Sequence, residues 1–331
     1  MTNCFAQKKV NKDDVLTIST PYQQFYSKYL NSEGIPIRSS KVVSDTALKI
    51  ASEKLKKLLE QTPIIRNNLI ANSVELHIIG KNQQTSDLPE YRELKGLKFI
   101  DNGSLTDVDT RTRGMGGIYA SCGEENLLGL PKDRYSDGYD ICTHEFSHTI
   151  MGFGLDSILL KKISLQYRSS MDKGLWKGVY ASTNEQEYWA ELSTWYFGAH
   201  GDFMQNNQPA PGPAALKAYD LGGYNLLDSI YSGKINPNKI IKKSNSVARN
   251  TPSLPSEQKS KFNVINNSKK ELRIFWIDYS GKSILEKTVP PSTSFSKDTF
   301  YNNVWLIEGG HTPFYIKVFD PICNIELSKD F

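Results

Sequence analysis

Between Gly233 and about Ser260 the chain changes character, and that change limits its possible folds more than any other feature. The stretch is rich in Lys, Asn, Ser and Pro and almost lacks apolar periodicity, so it reads as a linker. Before it, helix-spaced and strand-spaced patterns alternate. After it, only short β-rich runs remain: LRIFWIDYS, SILEKTV, VWLIEGG and FYIKVFD, separated by Gly, Pro and Asn turns. The 331 residues are long enough for two units. The expected plan is a polar N-terminal arm over 1–40, an α+β domain over 41–235, a linker over 236–259, and a small all-β sandwich over 260–331.

Within the arm, some local helix is expected around Tyr22 to Leu30. Leu48, Ala51, Leu55, Leu58 and Leu59 then recur at helical spacing, with Ser44 and Asp45 as plausible caps. Val74, Leu76 and Ile78 alternate as in a strand. The segment RTRGMGGIYAS is expected to hold an edge strand ending near Ala120. DICTHEFSHTIMGFG reads as a buried helix stopped by Gly152 and Gly154. After a connection from Gly174 to Tyr180, NEQEYWAELSTWYF reads as a second helix capped by Asn184. Leu216 to Ile230 is expected to form one more.

Hydrophobic residues make up 38% of the chain and charged residues 23%, values of an ordinary globular protein. The net charge is only +4, and the one basic cluster, Lys239 to Lys243, lies in the polar stretch, so no nucleic-acid footprint is expected. No apolar run is long enough to span a bilayer. The opening residues, MTNCFAQKKVNKDD, carry no apolar signal core. Either the protein is not exported by that route or the sequence is a processed form, and the compartment stays open. Cys4, Cys122, Cys142 and Cys323 do not make a disulfide framework at this length. Cys122 and Cys142 are the pair that could bond, with a reduced state equally compatible.

The chemistry concentrates in His144-Glu145-Phe146-Ser147-His148. Four residues are about one helical turn, so both imidazoles face one way and can share one Zn²⁺. Glu145 projects to the side, where a carboxylate can take a proton from water. A catalytic zinc needs a third protein ligand and an open position. Downstream, Glu187 and Glu191 share a helix face in EYWAE. One can reach the metal while the other supports a ligand histidine. Tyr188, Trp189, Leu192, Trp195 and Tyr196 argue that this helix is buried on several sides, where unpaired carboxylates would be costly. His77, His200 and His311 read as structural or solvated.

HEFSH, then Tyr180, then EYWAE, resembles the lethal-factor-like and Pro-Pro endopeptidase group of zincins, over roughly Asp45 to Gly198. The resemblance implies a zincin-like metallopeptidase domain with Glu187 as third zinc ligand, Glu191 supporting a histidine, and Tyr180 assisting at the oxyanion. No counterpart of the large delivery domains of lethal factor is expected within these 331 residues. The segment RTRGMGGIYASCGEENLLG is more similar to a broad set of zincin-like proteins, so toxin-like activity is not implied. Met151 and Phe153 occupy the region where an extended metzincin motif would place its Gly, so that reading fails. A strand near Gly116 to Ala120 could pair with an extended peptide, or its glycines could simply make a tight turn.

The β-rich end resembles the β domain of the von Hippel–Lindau protein over about residues 260 to 310. Asn266 and Ser268 sit in its N-x-S turn, followed by FWIDYSG, the Pro290-Pro291 turn and VWLI, and the separation of Trp276 from Trp305 matches without a gap. That family grips hydroxyproline. The resemblance therefore implies a peptide pocket at Trp276, Thr299, Asn303 and Trp305, with Asn303 standing where the family has His and Glu286 where it has a pocket Tyr. No counterpart of the family's helical recruiting domain is expected in these 331 residues, and no ubiquitin-ligase role is implied. The plainer reading makes these tryptophans core residues of a sandwich.

The sequence thus points to a zinc endopeptidase acting on a protein or peptide, with a β module for Pro- or hydroxyproline-rich chains. Two alternatives stay open: an inactive zincin-fold binding protein, and a zinc hydrolase of a non-peptide amide.

Overall fold

The computed structural model describes residues 14–101, 103–133, 138–199, 212–238, 252–309, 313–318 and 322–327. The chain divides into two compact units, Met1–Leu69 with Val74–Ile240, and Ile241–Phe331 with Ile70–Ser73. The class is mixed α+β with several sheets. His200, His311, Cys4, the Lys239 to Lys243 cluster and most of the expected linker lie outside the described residues.

The first unit opens with three strands, β1 (Leu16–Tyr22), β2 (Tyr26–Ser32) and β3 (Ile35–Ser39). This corrects the expected arm and its local helix. Two tight reversals shape the segment: Gln23 and Gln24 take positive φ between β1 and β2, and Glu33 and Gly34 between β2 and β3. Paired positive-φ residues are the turns that match strand twist. After β3 come α1 (Asp45–Leu59) and α2 (Pro63–Ala71), then β4 (Glu75–Ile79). The small hairpin β5 (Phe99–Asp101) and β6 (Ser104–Thr106) precedes α3 (Val108–Arg111), β7 (Gly114–Met115), β8 (Tyr119–Gly123) and α4 (Glu124–Leu128). The sheet runs β1-β2-β3-β4-β8-β7, with β3/β4 and β4/β8 parallel and the other pairs antiparallel. Every residue of β4 is buried. In β2 and β3 buried polar residues, Ser32, Arg38 and Ser39, break the polar–apolar alternation, which hid those strands in the sequence.

The helices follow: α5 (Ile141–Thr149), α6 (Ser157–Asp172), α7 (Glu185–Tyr196), α8 (Pro213–Tyr219) and α9 (Leu221–Tyr231). α1 and α7 keep their expected caps: Ser44 accepts from Thr46 N, and Asn184 from Gln186 N and Glu187 N. α6 was not anticipated. The single helix expected over Leu216 to Ile230 is two, broken at Asp220. That buried carboxylate accepts from Ser170 Oγ (2.7 Å), Trp176 Nε1 (2.8 Å) and Tyr188 OH (2.7 Å) on Oδ2, and caps Gly223 N (2.8 Å) with Oδ1. Four buried donors outweigh continuous helix here. Cys122 and Cys142 are buried and free, so the conceivable disulfide is not formed.

A buried charge network crosses the sheet. Arg38 bonds Glu75 (2.6 Å) and lies over the rings of Tyr22 and Tyr29. His77 sits between Glu75 (2.9 Å) and Glu90 (2.5 Å), and Tyr26 OH donates to Glu90 (2.6 Å). Both ring nitrogens face carboxylates, an arrangement that suits the imidazolium. Burial alone would lower the His77 pKa, but Glu75 and Glu90 raise it above 6.5. Burial would raise Glu75, but Arg38 and His77 lower it to about 2. The His77 contribution to stability is therefore complete below pH 6.5 and is lost as pH rises through its higher folded value. The Glu75 contribution is complete above pH 4.5 and is lost as pH falls through about 2. Denaturant unfolding across pH 6 to 10 is expected to show stability declining with pH in wild type and a flatter profile in His77→Gln; parallel profiles would refute the assignment.

The second unit is a β-sandwich. Its strands are β9 (Lys259–Asn266), β10 (Leu272–Ile277), β11 (Ser283–Val289), β12 (Ser294–Phe300), β13 (Val304–Glu308), β14 (Phe314–Lys317) and β15 (Ile322–Leu327). They form one sheet in the order β11-β10-β13-β14 and another in the order β12-β9-β15. Phe262, Val264 and Leu327 from the second sheet pack with Ile274, Trp305 and Ile307 from the first. β9 alternates exposed and buried positions along most of its length, as a one-sided strand should. The N-x-S turn forms as expected: Asn266 Oδ1 accepts from Ser268 N and Oγ, while Asn266 Nδ2 donates to Lys270 and Val289 carbonyls.

Candidate metal centre

α5 carries the two histidines, and its position is fixed at both ends. Asp140 caps it, accepting from Thr143 N (3.0 Å) and Thr143 Oγ1 (2.7 Å), and Lys54 pairs with the same carboxylate (2.5 Å). At the far end Thr149 Oγ1 donates to Gly117 O (2.8 Å) and accepts from Gly117 N (3.2 Å). β7 lies so close that a Cβ on Gly114 would meet Ile141 Cγ2 at 2.5 Å, and one on Gly116 would meet His148 Cβ at 2.5 Å. Those glycines are a packing requirement of the helix against the sheet edge. The edge strand is Gly114–Met115 rather than Gly116 to Ala120. Gly116 to Ile118 only connect it to β8, which lies inside the sheet.

Across from α5, α7 presents Glu187 and Glu191. Trp189 Nε1 donates to Ser147 O (2.9 Å), tying a buried side chain of α7 to the backbone of α5. His144 Nε2 and His148 Nε2 are 3.1 Å apart. Glu187 Oε2 lies 3.2 Å from each of them and is buried with no hydrogen-bond partner among the described residues. His144, Glu145 and His148 also offer one ligand atom each within 4.8 Å of one another, a group that can hold a metal ion. Burial works against charge here, but the facing groups prevail. His144 is raised to about 10 by Glu187 and Glu191, and Glu187 is pushed far below the ordinary carboxylate range by both histidines.

The remaining site residues surround this group. Glu191 Oε1 lies 3.0 Å from His144 Nδ1. Tyr139 OH, which the sequence reading missed, donates to Glu191 Oε1 (2.6 Å) and lies 2.9 Å from His144 Nδ1. A carboxylate on Nδ1 leaves Nε2 aimed at the group of donors. Tyr180 OH donates to Glu187 Oε1 (3.2 Å) and accepts from Arg111 Nη2 (3.3 Å), another residue missed from sequence. Burial, then the Glu187 charge, raises Tyr180 to about 12. Burial raises the Glu145 carboxyl above its usual value, against the pull of His144 and His148. Neither Tyr139 nor Arg111 belongs to a spacing pattern, so only the fold brings them in.

These groups open into a cleft of about 640 Å³. Leu94, Leu97, Phe99 and Val108 line one part, and Glu145, Tyr180, His144 and His148 another. Leu97 and Phe99 are exposed, as are Ile100 and Leu105 on the same hairpin. In the sandwich, Trp276 and Trp305 are direct partners across β10 and β13, and Thr299 Oγ1 donates to Asn303 Oδ1 (3.2 Å). Trp305 is a core residue, stacked on Phe262 with 4.7 Å between ring centres. Trp276 Nε1, Asn303 Nδ2 and Trp305 Nε1 are buried without a hydrogen-bond partner among the described residues. Glu286 pairs with Lys297 (2.6 Å).

Among the described residues no helix is long and apolar enough to cross a membrane. No protein-family model matches the chain, and no curated protein matches it. Among solved structures the chain is similar to the PRO-PRO endopeptidase PPEP-2 from Paenibacillus alvei. The identity is 15% over 59% of this chain and 95% of that one, with a TM-score of 0.44.

Proposed function

We propose that the first unit is a zincin-like zinc endopeptidase, with His144, His148 and Glu187 as ligands. One observation carries this reading: Nε2, Nε2 and Oε2 lie 3.1, 3.2 and 3.2 Å apart, with the carboxylate oxygen otherwise orphaned. Tetrahedral zinc with bonds of about 2.0–2.1 Å spaces its ligand atoms about 3.3 Å apart. The donor set fits, and Glu187 suits the third place better than Glu145, because its oxygen is equally close to both histidines. A zinc ion held by these three residues would supply acidification of a water and polarisation of a carbonyl. Glu145, with its raised pKa, takes a proton from the attacking water and passes it to the departing amine. The Tyr180 hydroxyl turns its proton from Glu187 to the oxygen that gains charge. Glu191 and Tyr139 hold the His144 ring in place.

The open cleft and β7, the last strand of the sheet among the described residues, suit an extended peptide, and the Leu94, Leu97 and Phe99 wall suits an apolar side chain in it. Digestion of a mixed peptide pool, read by mass spectrometry, is expected to show cuts at internal bonds flanked by apolar residues. Release of terminal residues alone, or turnover only of non-peptide amides, would reject the endopeptidase reading.

A second reading concerns the sandwich, and Trp276 Nε1, Asn303 Nδ2 and Trp305 Nε1, buried without a partner among the described residues, favour it. Burying such groups without acceptors is costly, and a ligand bearing an oxygen beside Trp276, Thr299, Asn303 and Trp305 would relieve that cost. A Pro-rich peptide supplies the ring, and a hydroxyproline-rich one both ring and hydroxyl. Calorimetry with the full-length Glu145→Ala chain is expected to give a Kd for hydroxyproline peptides about tenfold tighter than for their proline controls. Equal affinity, or the same preference in Trp276→Ala, would remove this reading.

A further inference from the structure

Arg111 places a cation beside the proposed oxyanion donor, and no sequence motif accounts for it. It ends α3, which is pinned on both sides. Asp109 accepts from Ser86 N (2.8 Å) and Ser86 Oγ (2.7 Å), and Thr112 O accepts from Thr85 Oγ1 (2.9 Å). The capping carboxylate Asp107 accepts from Thr110 N (2.8 Å) and pairs with Lys98. From this fixed base the guanidinium lines the cleft and Nη2 donates to Tyr180 OH at 3.3 Å.

We propose that Arg111 is a positioning residue of the hydrolytic site, holding the Tyr180 hydroxyl against the substrate's carbonyl oxygen; this rests on the peptidase reading. A tyrosine hydroxyl has one proton to give, and here it rests on Glu187 Oε1 (3.2 Å). To serve a developing oxyanion, that proton must turn away from Glu187 without the ring losing its place. Arg111 feeds a charged N–H into the hydroxyl's lone pair, which fixes the oxygen and makes its O–H a stronger donor. A substrate carboxylate is the other natural partner for an arginine. It is disfavoured because this guanidinium contacts the hydroxyl that touches Glu187, at the reacting centre rather than away from it.

The test uses the quenched fluorogenic peptide that wild type cuts fastest from a peptide pool. Arg111→Ala is expected to lower kcat about 10–100-fold, the worth of one hydrogen bond to a charged group, with KM nearly unchanged. Tyr180→Phe is expected to lower kcat on the order of 10²–10³-fold, and the double variant should be no slower than Tyr180→Phe alone. Arg111→Lys should recover only part of the loss, because an ammonium cannot reproduce the planar fork. A readout without turnover comes from the Glu145→Gln background. There Arg111→Ala should weaken binding of a phosphinate pseudopeptide by the same factor and leave the uncleaved peptide's affinity unchanged. A raised KM at constant kcat, additive losses in the double variant, or equal weakening of both ligands would overturn the assignment. If Arg111→Ala does not fold, the Arg111→Lys split between kcat and KM decides by the same criteria. Absence of Glu145-dependent cleavage in wild type is a different result, because it removes the peptidase reading itself.

Discussion

Glu145→Gln is expected to reduce kcat on the order of 10²–10⁴-fold, the usual worth of a positioned general base, while zinc content and melting temperature stay close to wild type. The expectation follows from where the side chain stands. Glu145 shares the cluster with both histidines, yet its carboxyl is raised rather than depressed in pKa, first by burial and then by the Glu187 charge. A group of that kind is better suited to exchanging protons than to holding a cation. Gln keeps the shape and hydrogen-bonding reach of the side chain but cannot accept the proton, so packing of α5 against Gly114 and Gly116 should be undisturbed. Steady-state kinetics with metal analysis on the same preparation checks this. Loss of zinc along with activity would make Glu145 a ligand, and unchanged kcat would remove it from the mechanism.

The second large effect is expected at Glu187. Glu187→Ala removes the only oxygen within 3.2 Å of both His144 Nε2 and His148 Nε2 among the described side-chain pairs. Losing a supporting partner of a metal ligand costs roughly 10–100-fold in affinity, and losing a ligand should cost more. Glu191→Gln supplies the comparison, because Glu191 touches His144 Nδ1 (3.0 Å) rather than the converging Nε2 atoms. Competition titration with a chromogenic zinc chelator should therefore rank wild type above Glu191→Gln and Glu191→Gln above Glu187→Ala. Reversal of the two variants would exchange the roles given to the carboxylates.

How much of this was legible depended on whether local sequence carried the signal. α1 and α7 were readable because an apolar stripe or aromatic block began at a side-chain cap, Ser44 or Asn184. β1 to β3 were not, since Arg38 and the tyrosines face a buried network instead of marking a solvent face. Asp220 broke an expected helix because three of its four donors, Ser170, Trp176 and Tyr188, lie 32 to 50 residues away, outside any local window, while the fourth, Gly223 N, is the cap of the new helix. At the candidate site, HEFSH and EYWAE lie on single helices, so spacing alone aligns their side chains. Tyr139 and Arg111 reach the same place through tertiary structure, from a residue before α5 and from the end of α3.

The central claim is that one zinc ion and these side chains together cut internal peptide bonds. It is tested most directly by following cleavage of a quenched internal-bond peptide through chelation and zinc return. Activity is predicted to vanish when the metal is stripped and to recover fully at one equivalent of zinc per chain. Cleavage that survives complete chelation, or no cleavage with one zinc bound, would contradict it.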